Sequence, residues 1–204
     1  IKRSEFIGHI KRVSTVEEAR AYIESVRKTY HDARHVCSAF IIGADRDIQR
    51  SSDDGEPAGT AGVPMMQALL ARQTREDGTT DLSDVVAVVV RYFGGIKLGA
   101  GGLVRAYTDS VVQTLDGALF DSRERLRVGQ VPSSHADAGR LENEIRAAGL
   151  NVLGTEYGAE GATISLGVFD RPEELARAEE LVVSLSSGAA SVTWGDTQWV
   201  DLPV

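Results

Sequence analysis

The most informative hydrophobic pattern in the chain is an unbroken apolar run from Val85 to Val90. The run contains only Val and Ala and shows no alternation between apolar and polar positions. β-Branched side chains favour strands, and a strand with one face in water would alternate. We therefore predict a strand that is covered on both faces.

A glycine-rich loop and a helix are predicted directly after this strand. Apolar residues recur at every fourth position, at Leu103, Tyr107, Val111 and Leu115, which keeps one face of a helix on the core. The loop contains five glycines and one lysine, namely Gly94, Gly95, Gly99, Gly101, Gly102 and Lys97. A glycine-rich turn at a helix N-terminus exposes backbone N–H groups and can receive an anion such as a phosphate. The same glycines could instead serve only positive φ angles and close packing, and no complete nucleotide-binding motif is present.

Two further pairs of strand and helix precede this segment. A strand is predicted over residues 6–13, followed by a helix that Ser14 or Thr15 can cap. A second strand is predicted over residues 37–43. A polar loop over residues 51–64 then leads into a helix with Met65, Ala68, Leu69 and Arg72 at helical spacing.

The chain from residue 123 onwards has a different pattern of elements. Strands are predicted over 123–131, 151–157, 162–169 and 191–201. One helix should be capped by Ser133 or Ser134 and closed by Gly149, and the other should be capped by Asp170. The order βαββαβ is typical of the ferredoxin-like fold, an antiparallel sheet with two helices on one face. We therefore predict an α+β protein with two domains, residues 1–121 and residues 122–204.

Charge and composition restrict the classes of function. The 204-residue chain has a net charge of -8; residues 1–122 carry 15 Lys and Arg against 17 Asp and Glu, and residues 123–204 carry 7 against 13. This balance disfavours duplex DNA binding driven by bulk charge, but it leaves room for a local basic patch of Arg91, Lys97 and Arg105.

No stretch approaches the ~18 apolar residues of a membrane span. The single cysteine, Cys37, excludes an internal disulfide and a cysteine zinc cluster. We expect a cytoplasmic protein without a membrane partner.

Three carboxylates lie close together in the polar loop, at Asp53, Asp54 and Glu56. They could hold Mg²⁺ or act as an acid/base pair. Alternatively, they could cap the next helix or pair with Arg91, Lys97 or Arg105. Their spacing does not fit the EF-hand loop.

Other residues with possible chemistry have simpler structural interpretations. Cys37 opens an apolar strand, which is typical of a buried structural cysteine, so His35 at the start of that strand is the better site candidate. Trp194 and Trp199 could stack on bases, although tryptophans on a strand usually pack on the sheet.

Two long motifs resemble the IMPACT/YigZ family. They are SDDGEPAGTAGVP at residues 52–64 and VVVRYFGGIKLGAGGLVRAY at residues 88–107, with His35 and Cys37 upstream. The resemblance covers about the first 120 residues, and the remainder looks like the second domain of bacterial members. It implies that the first domain has the βαβ fold shared by a small-subunit ribosomal protein, the sugar-kinase superfamily and domain IV of elongation factor G. The second domain is implied to resemble domain V of that factor.

The resemblance also implies nucleic-acid or ribosome binding and, in eukaryotic relatives, regulation of translation. The residues expected to contact phosphate or nucleic acid are Arg91, Tyr92, Gly94, Gly95, Lys97, Gly99, Gly101, Gly102 and Arg105. The rest of the expected motif surface is His35, Ser52, Asp53, Asp54, Gly55, Glu56, Pro57, Thr60 and Tyr107. Two positions depart from the family pattern: Ala100 stands where a threonine is usual, and Thr108 where a glycine is common.

Three functional hypotheses follow. The leading one is a non-enzymatic binding module for RNA or the ribosome that modulates translation. The second is an enzyme or binding protein for a phosphorylated small molecule with a divalent metal, in which Asp53, Asp54 and Glu56 face Lys97 and His35. The third is a protein–protein regulator of a translation or stress pathway. We assign no catalytic residue, metal ligand or cofactor, and the sequence offers no nucleophile–base pair for a peptidase.

Overall fold

The computed structural model describes residues 3–202. The chain divides into two compact units between Leu119 and Phe120. The first unit contains β1 (Glu5–Arg12), α1 (Val16–Thr29), β2 (His35–Ile42), β3 (Ile48–Ser52), α2 (Gly62–Leu70), β4 (Val85–Tyr92) and α3 (Ala100–Asp116). The second contains β5 (Ser122–Ser133), α4 (Ala138–Ala147), β6 (Asn151–Tyr157), β7 (Ala162–Phe169), α5 (Pro172–Leu185) and β8 (Thr193–Leu202). The predicted α+β class is therefore confirmed.

The first unit is a four-stranded antiparallel sheet with helices on both faces. Its strand order is β1-β4-β2-β3. Val85 and Val89 of β4 pack on one face in a core with α2 and α3, whereas Val86 and Val90 pack on the other face in a core with α1. This confirms that β4 is covered on both faces. The four apolar residues predicted to keep α3 on the core are all buried there.

The N-terminal elements agree with the sequence pattern except at two places. Thr15 caps α1, since its hydroxyl accepts a hydrogen bond from the Glu18 N–H at 3.1 Å. The helix α2 ends at Leu70, so Arg72 lies beyond it. Strand β3 was not predicted, because all five of its residues are exposed and polar positions dominate it. Ser51 and Ser52, expected in a loop, end this strand.

The second unit has the predicted ferredoxin-like topology, with strand order β6-β7-β5-β8 and a core shared with α4 and α5. Gly149 closes α4 with a φ of +84° as expected. Trp194 packs against this core and donates to Glu179 at 2.6 Å, while Trp199 is exposed.

The predicted cap of α4 is confirmed in part, and the predicted cap of α5 was wrong. The assigned helix α4 begins after Asp137. Ser134 caps the turn that leads into it, since its hydroxyl accepts from the Asp137 N–H at 3.1 Å and its carbonyl accepts from the Ala138 N–H at 3.0 Å. Arg171 precedes α5 as its N-cap, because the Asp170 carboxylate is bound by the Arg127 guanidinium at 2.8 and 3.0 Å.

Between residues 3 and 202, the structure contains no helix that is both long enough and apolar enough to cross a membrane.

Candidate functional site

Both sequence motifs meet at one end of the first sheet. Arg91 on β4 pairs with Phe6 on β1 and with His35 on β2. In an antiparallel sheet such partners share a face, so the three side chains form a row beside the end of β4. The acidic loop, residues 53–61, leaves β3 at this end, and the glycine loop, residues 93–99, leaves β4 there. The fold therefore brings the two motifs together.

Glu56 connects these segments through its buried carboxylate. Its side chain is 3% exposed, and Oε1 accepts hydrogen bonds from Arg91 Nη1 at 2.5 Å and from the Tyr107 hydroxyl at 2.8 Å. Oε2 lies 4.0 Å from His35 Nε2. One side chain thus joins the acidic loop to β2, β4 and α3. Of the three cations considered as partners for the carboxylates, Arg91 is the partner of Glu56.

Cys37 and Tyr107 extend this buried network. The fully buried Cys37 sulfur lies 3.0 Å from the Asp53 carbonyl oxygen and 3.3 Å from the Tyr107 hydroxyl oxygen, and its single S–H can donate to one of them at a time. Burial raises the pKa of Cys37 to about 12, so the thiol stays protonated at neutral pH. Burial, together with the neighbouring Cys37 and Glu56, also raises the pKa of Tyr107. Cys37 is therefore a structural residue, as its place in an apolar strand suggested.

Asp53 caps the start of α2 from outside the helix. Its carboxylate accepts hydrogen bonds from the N–H groups of Gly59 at 2.7 Å, Ala61 at 3.0 Å and Gly62 at 2.7 Å. Burial acts to raise the pKa of Asp53, but these three backbone donors outweigh it and hold the pKa below its ordinary value. The carboxylate therefore organises the acidic loop and the helix that follows.

Asp54 is bound by a cation that the sequence did not suggest. The Arg27 guanidinium on α1 donates to both carboxylate oxygens, at 3.0 and 3.1 Å, and the Val36 N–H donates at 2.7 Å. Burial acts to raise the pKa of Asp54, but these bonds bring it below its usual value. The Asp54 carbonyl accepts from His35 Nδ1 at 2.9 Å, which fixes the imidazole. Arg27 and Asp54 are 27 positions apart, and no sequence pattern links them.

The remaining members of the acidic motif shape the loop. Gly55 has a φ of +82° and lies beside the His35 ring, where a side chain would be strained. The Pro57 carbonyl accepts from both the backbone N–H and the hydroxyl of Thr60. Gly62 approaches the backbone of Ser52 so closely that a Cβ would lie 2.8 Å from its nitrogen. These contacts are structural.

The carboxylates are thus bound by protein groups. Among residues 3–202 there is no group of three or more His, Cys, Asp or Glu side chains arranged to hold a metal ion. The interpretation in which the carboxylates cap a helix or pair with a cation is confirmed for Asp53 and Glu56. Neither Lys97 nor Arg105 is a partner of these carboxylates in the structure.

In the glycine loop, by contrast, most backbone N–H groups have no partner among the described residues. Within the described residues, the backbone N–H groups of 95–99 donate no hydrogen bond, and that of Gly94 donates to the Ser4 hydroxyl at 3.2 Å. The helix α3 follows Gly99 with no side-chain cap and no acidic residue in its first turn. The N-terminus of α1 differs, since it has the Thr15 cap and also Glu17 and Glu18. The start of α3 is therefore an uncompensated positive helix end.

The glycines of this loop have different roles. Gly95 and Gly99 have φ angles of +85° and +76°, and a Cβ on Gly94 would lie 2.0 Å from the Arg3 backbone. Those three positions need glycine for the fold. Gly101 has no positive φ, and its Cβ position has no neighbour within 4 Å. The fold does not require glycine at position 101, so the first turn of α3 is open to close approach from outside.

Two exposed cations flank this uncapped turn. Lys97 is exposed and takes part in no ion pair within the described part of the chain. The Arg105 side chain is 85% exposed, and among the described residues its ion-pair partner is Asp109, an oxygen of which lies 3.5 Å from Nε. Such exposed pairs contribute little and break easily. We name residues 94–102 together with Arg105 the loop surface.

Arg91 and Tyr92, which were also expected to contact nucleic acid, lie elsewhere. Arg91 is buried, and its guanidinium lies over the rings of Phe6 and Phe93, 5.4 and 5.5 Å from their centroids. Tyr92 packs on the α1 face, where its hydroxyl donates to Asp32 at 2.7 Å and that bond raises its pKa to about 12. The next residue, Phe93, is 44% exposed.

Comparison with known families agrees with the two units. Residues 2–115 match the model of the Impact N-terminal domain, and residues 134–189 match a domain of unknown function (DUF1949).

Known relatives match both the whole chain and its first half. The chain is 36% identical to "IMPACT family member YvyE" of Bacillus subtilis over its whole length and 89% of that relative. It is 49% identical to "IMPACT family member YigZ" of Escherichia coli over 56% of the chain and 53% of the relative. A solved structure described as the crystal structure of a hypothetical protein aligns with a TM-score of 0.62 at 32% identity, covering 94% of this chain and 89% of that one.

Proposed function

This chain belongs to the IMPACT family, and from that premise we propose that its first unit is a non-enzymatic RNA-binding module. The loop surface receives phosphates of the RNA backbone. The observation that supports this most strongly is the contrast between the two motifs. The acidic motif is bound within the protein, whereas the N–H groups of 95–99 and the start of α3 have no protein partner among the described residues.

Electrostatics favours an anion at this surface. The charges of Asp53, Asp54 and Glu56 are compensated by backbone N–H groups, Arg27 and Arg91, so they subtract little from the local potential. Lys97 and Arg105, the latter with only a loose contact to Asp109, then add positive charge to the positive end of α3. Free N–H groups at a helix N-terminus with adjacent cations form a suitable site for phosphate oxygens.

The RNA of the ribosome is the proposed source of these phosphates. The resemblance to ribosomal-protein and elongation-factor domains implies contact with the translation machinery. Because the chain as a whole has a net charge of -8, binding must depend on the local surface and not on bulk charge. We propose that occupation of a ribosomal RNA site by this module modulates translation in the cytoplasm.

Acid/base catalysis by the acidic motif has little structural support. A general base needs a carboxylate oxygen that can reach a substrate proton. Both oxygens of Asp53 and of Asp54 accept hydrogen bonds from protein groups, and Glu56 is buried against Arg91 and Tyr107. The geometry therefore favours a scaffold role for these carboxylates.

The proposal is tested by measuring affinity for a fluorescently labelled 16-nucleotide single-stranded RNA. Lys97→Ala combined with Arg105→Ala removes both flanking cations, and we expect affinity to fall about tenfold or more at low salt. The matched control is Arg20→Ala combined with Lys28→Ala. These residues are exposed on α1, which packs on the opposite face of the sheet. The control should bind like the parent, and equal losses in both double variants would contradict a site on the loop surface.

A further inference from the structure

Phe6, Arg91 and Phe93 form a continuous stack at the end of the first sheet. Residues 91 and 93 are two positions apart along an extended chain, so their side chains point to the same side. Phe6 is the cross-strand partner of Arg91 on that side. The Arg91 guanidinium carbon accordingly lies over both phenylalanine rings, 5.4 Å from the Phe6 centroid and 5.5 Å from the Phe93 centroid. Cation–π attraction favours this arrangement.

This stack is held firmly on its inner side. The Arg91 side chain is 6% exposed and bound to Glu56, and Phe6 packs edge-on against Tyr107 at 5.3 Å. The Nε of Arg91 has no hydrogen-bond partner in the described chain, so the guanidinium is held by the bond from Nη1 to Glu56 together with the ring contacts. Phe93 is therefore anchored on one side by a fixed group.

On its outer side, Phe93 is open to solvent. The residue is 44% exposed, and it begins the glycine loop four positions before Lys97. An ordered aromatic ring beside free N–H groups and an unpaired lysine offers both components that a single-stranded nucleic acid needs. These are a flat surface for a base and positive groups for the attached phosphate.

We infer that Phe93 is a stacking platform for an unpaired base, so that the module prefers single-stranded RNA to duplex RNA. The inference rests on the proposed function and goes further, because phosphate binding alone would accept either form. A paired base is stacked within its own helix and cannot cover the ring. Because Arg91 already holds the ring, little conformational freedom is lost when a base stacks on it.

The test compares a 16-nucleotide RNA with the same RNA annealed to its complement, using the full chain at one salt concentration. The parent should bind the single strand more tightly. Phe93→Ala should weaken single-strand binding by about five- to a hundredfold and leave duplex binding unchanged, so that the preference disappears. Phe93→Trp should keep the preference, whereas Phe93→Leu, which is apolar but has no ring, should lose it.

The possible outcomes are distinguishable. Equal binding of both RNAs by the parent, or a preference that survives in Phe93→Ala or Phe93→Leu, would overturn the stacking inference and leave phosphate binding intact. A parallel loss of duplex and single-strand binding in Phe93→Ala would show that the ring only supports the loop, and it would also overturn the inference. If the parent binds neither RNA, the proposed function itself fails and the inference fails with it.

Discussion

Glu56 is the residue on which the arrangement of the two motifs depends. Its carboxylate lies in the interior with Arg91 and Tyr107, and the Arg91 guanidinium in turn supports Phe93. A buried ion pair adds little to stability when compared with apolar residues, but removing one partner leaves an uncompensated charge in the interior. The contribution of Glu56 to the free energy of unfolding should therefore appear most clearly when it is replaced by a neutral residue of the same shape.

We predict that Glu56→Gln lowers the free energy of unfolding by about 3 kcal/mol. Asp116→Asn is the matched control, because Asp116 is paired with Arg72 at the surface and is 60% exposed. That change should cost less than about 1 kcal/mol. Urea denaturation of both variants at pH 7 measures the difference. Equal effects in the two variants would show that stability does not depend on the negative charge of Glu56 in the interior.

The sequence indicated the members of this network but not its pairing. Three carboxylates within four positions and three cations in the second motif allowed several combinations, and only the fold selects Glu56 with Arg91. The partner of Asp54 was missed altogether, since Arg27 lies on a distant helix with no pattern that relates it to the acidic loop. Long-range pairing depends on topology, which local sequence patterns do not encode.

At the scale of elements, α2 depends on a cap supplied by another segment. Its N-cap, Ala61, has no side-chain acceptor, and Asp53 provides the acceptor from eight positions earlier. The lowered pKa of Asp53 means that the folded state binds its proton less readily than the unfolded state does. The stabilisation is therefore present at neutral pH and is lost as pH falls below the ordinary aspartate pKa of 3.8 towards the lower folded value.

We predict that Asp53→Asn lowers stability at pH 7 by about 1 kcal/mol and makes the loss of stability in acid less steep. The amide cannot be protonated in this range, so its contribution does not change with pH. Urea denaturation between pH 3 and pH 7 measures the profile, with the exposed Asp45→Asn as control. An acid profile with the same slope in Asp53→Asn as in the parent would rule out this source of pH dependence.

Helices and strands were predicted correctly where a buried face produces a regular apolar pattern in the sequence. They were missed where no such pattern exists. The unalternating run of β4 and the four-residue spacing of α3 indicated their buried faces correctly. Strand β3 is an exposed edge strand with the sequence IQRSS, so it has no apolar face to detect. Asp170 was a chemically reasonable cap for α5, but its carboxylate binds Arg127, a strand residue far away in the sequence.

At the scale of the whole molecule, the two units differ in charge as well as in fold. Residues 123–204 carry 7 basic and 13 acidic residues, whereas residues 1–122 are nearly balanced with 15 and 17. The order βαββαβ was sufficient to predict the second unit because each of its elements has its own hydrophobic period. Charge counts indicated that any anion site would be local, and the structure identifies the free groups of the loop surface.

The central claim is that Lys97, Arg105 and the uncapped start of α3 contact RNA phosphates. The most direct measurement is the dependence of single-stranded RNA affinity on salt concentration, for the parent and for the double variant Lys97→Ala, Arg105→Ala. Each phosphate neutralised on a single strand adds about 0.7 to the slope of log affinity against log salt, so the variant should be shallower by about 1.4. An unchanged slope in the variant would contradict the claim, because it would mean that neither side chain neutralises a phosphate.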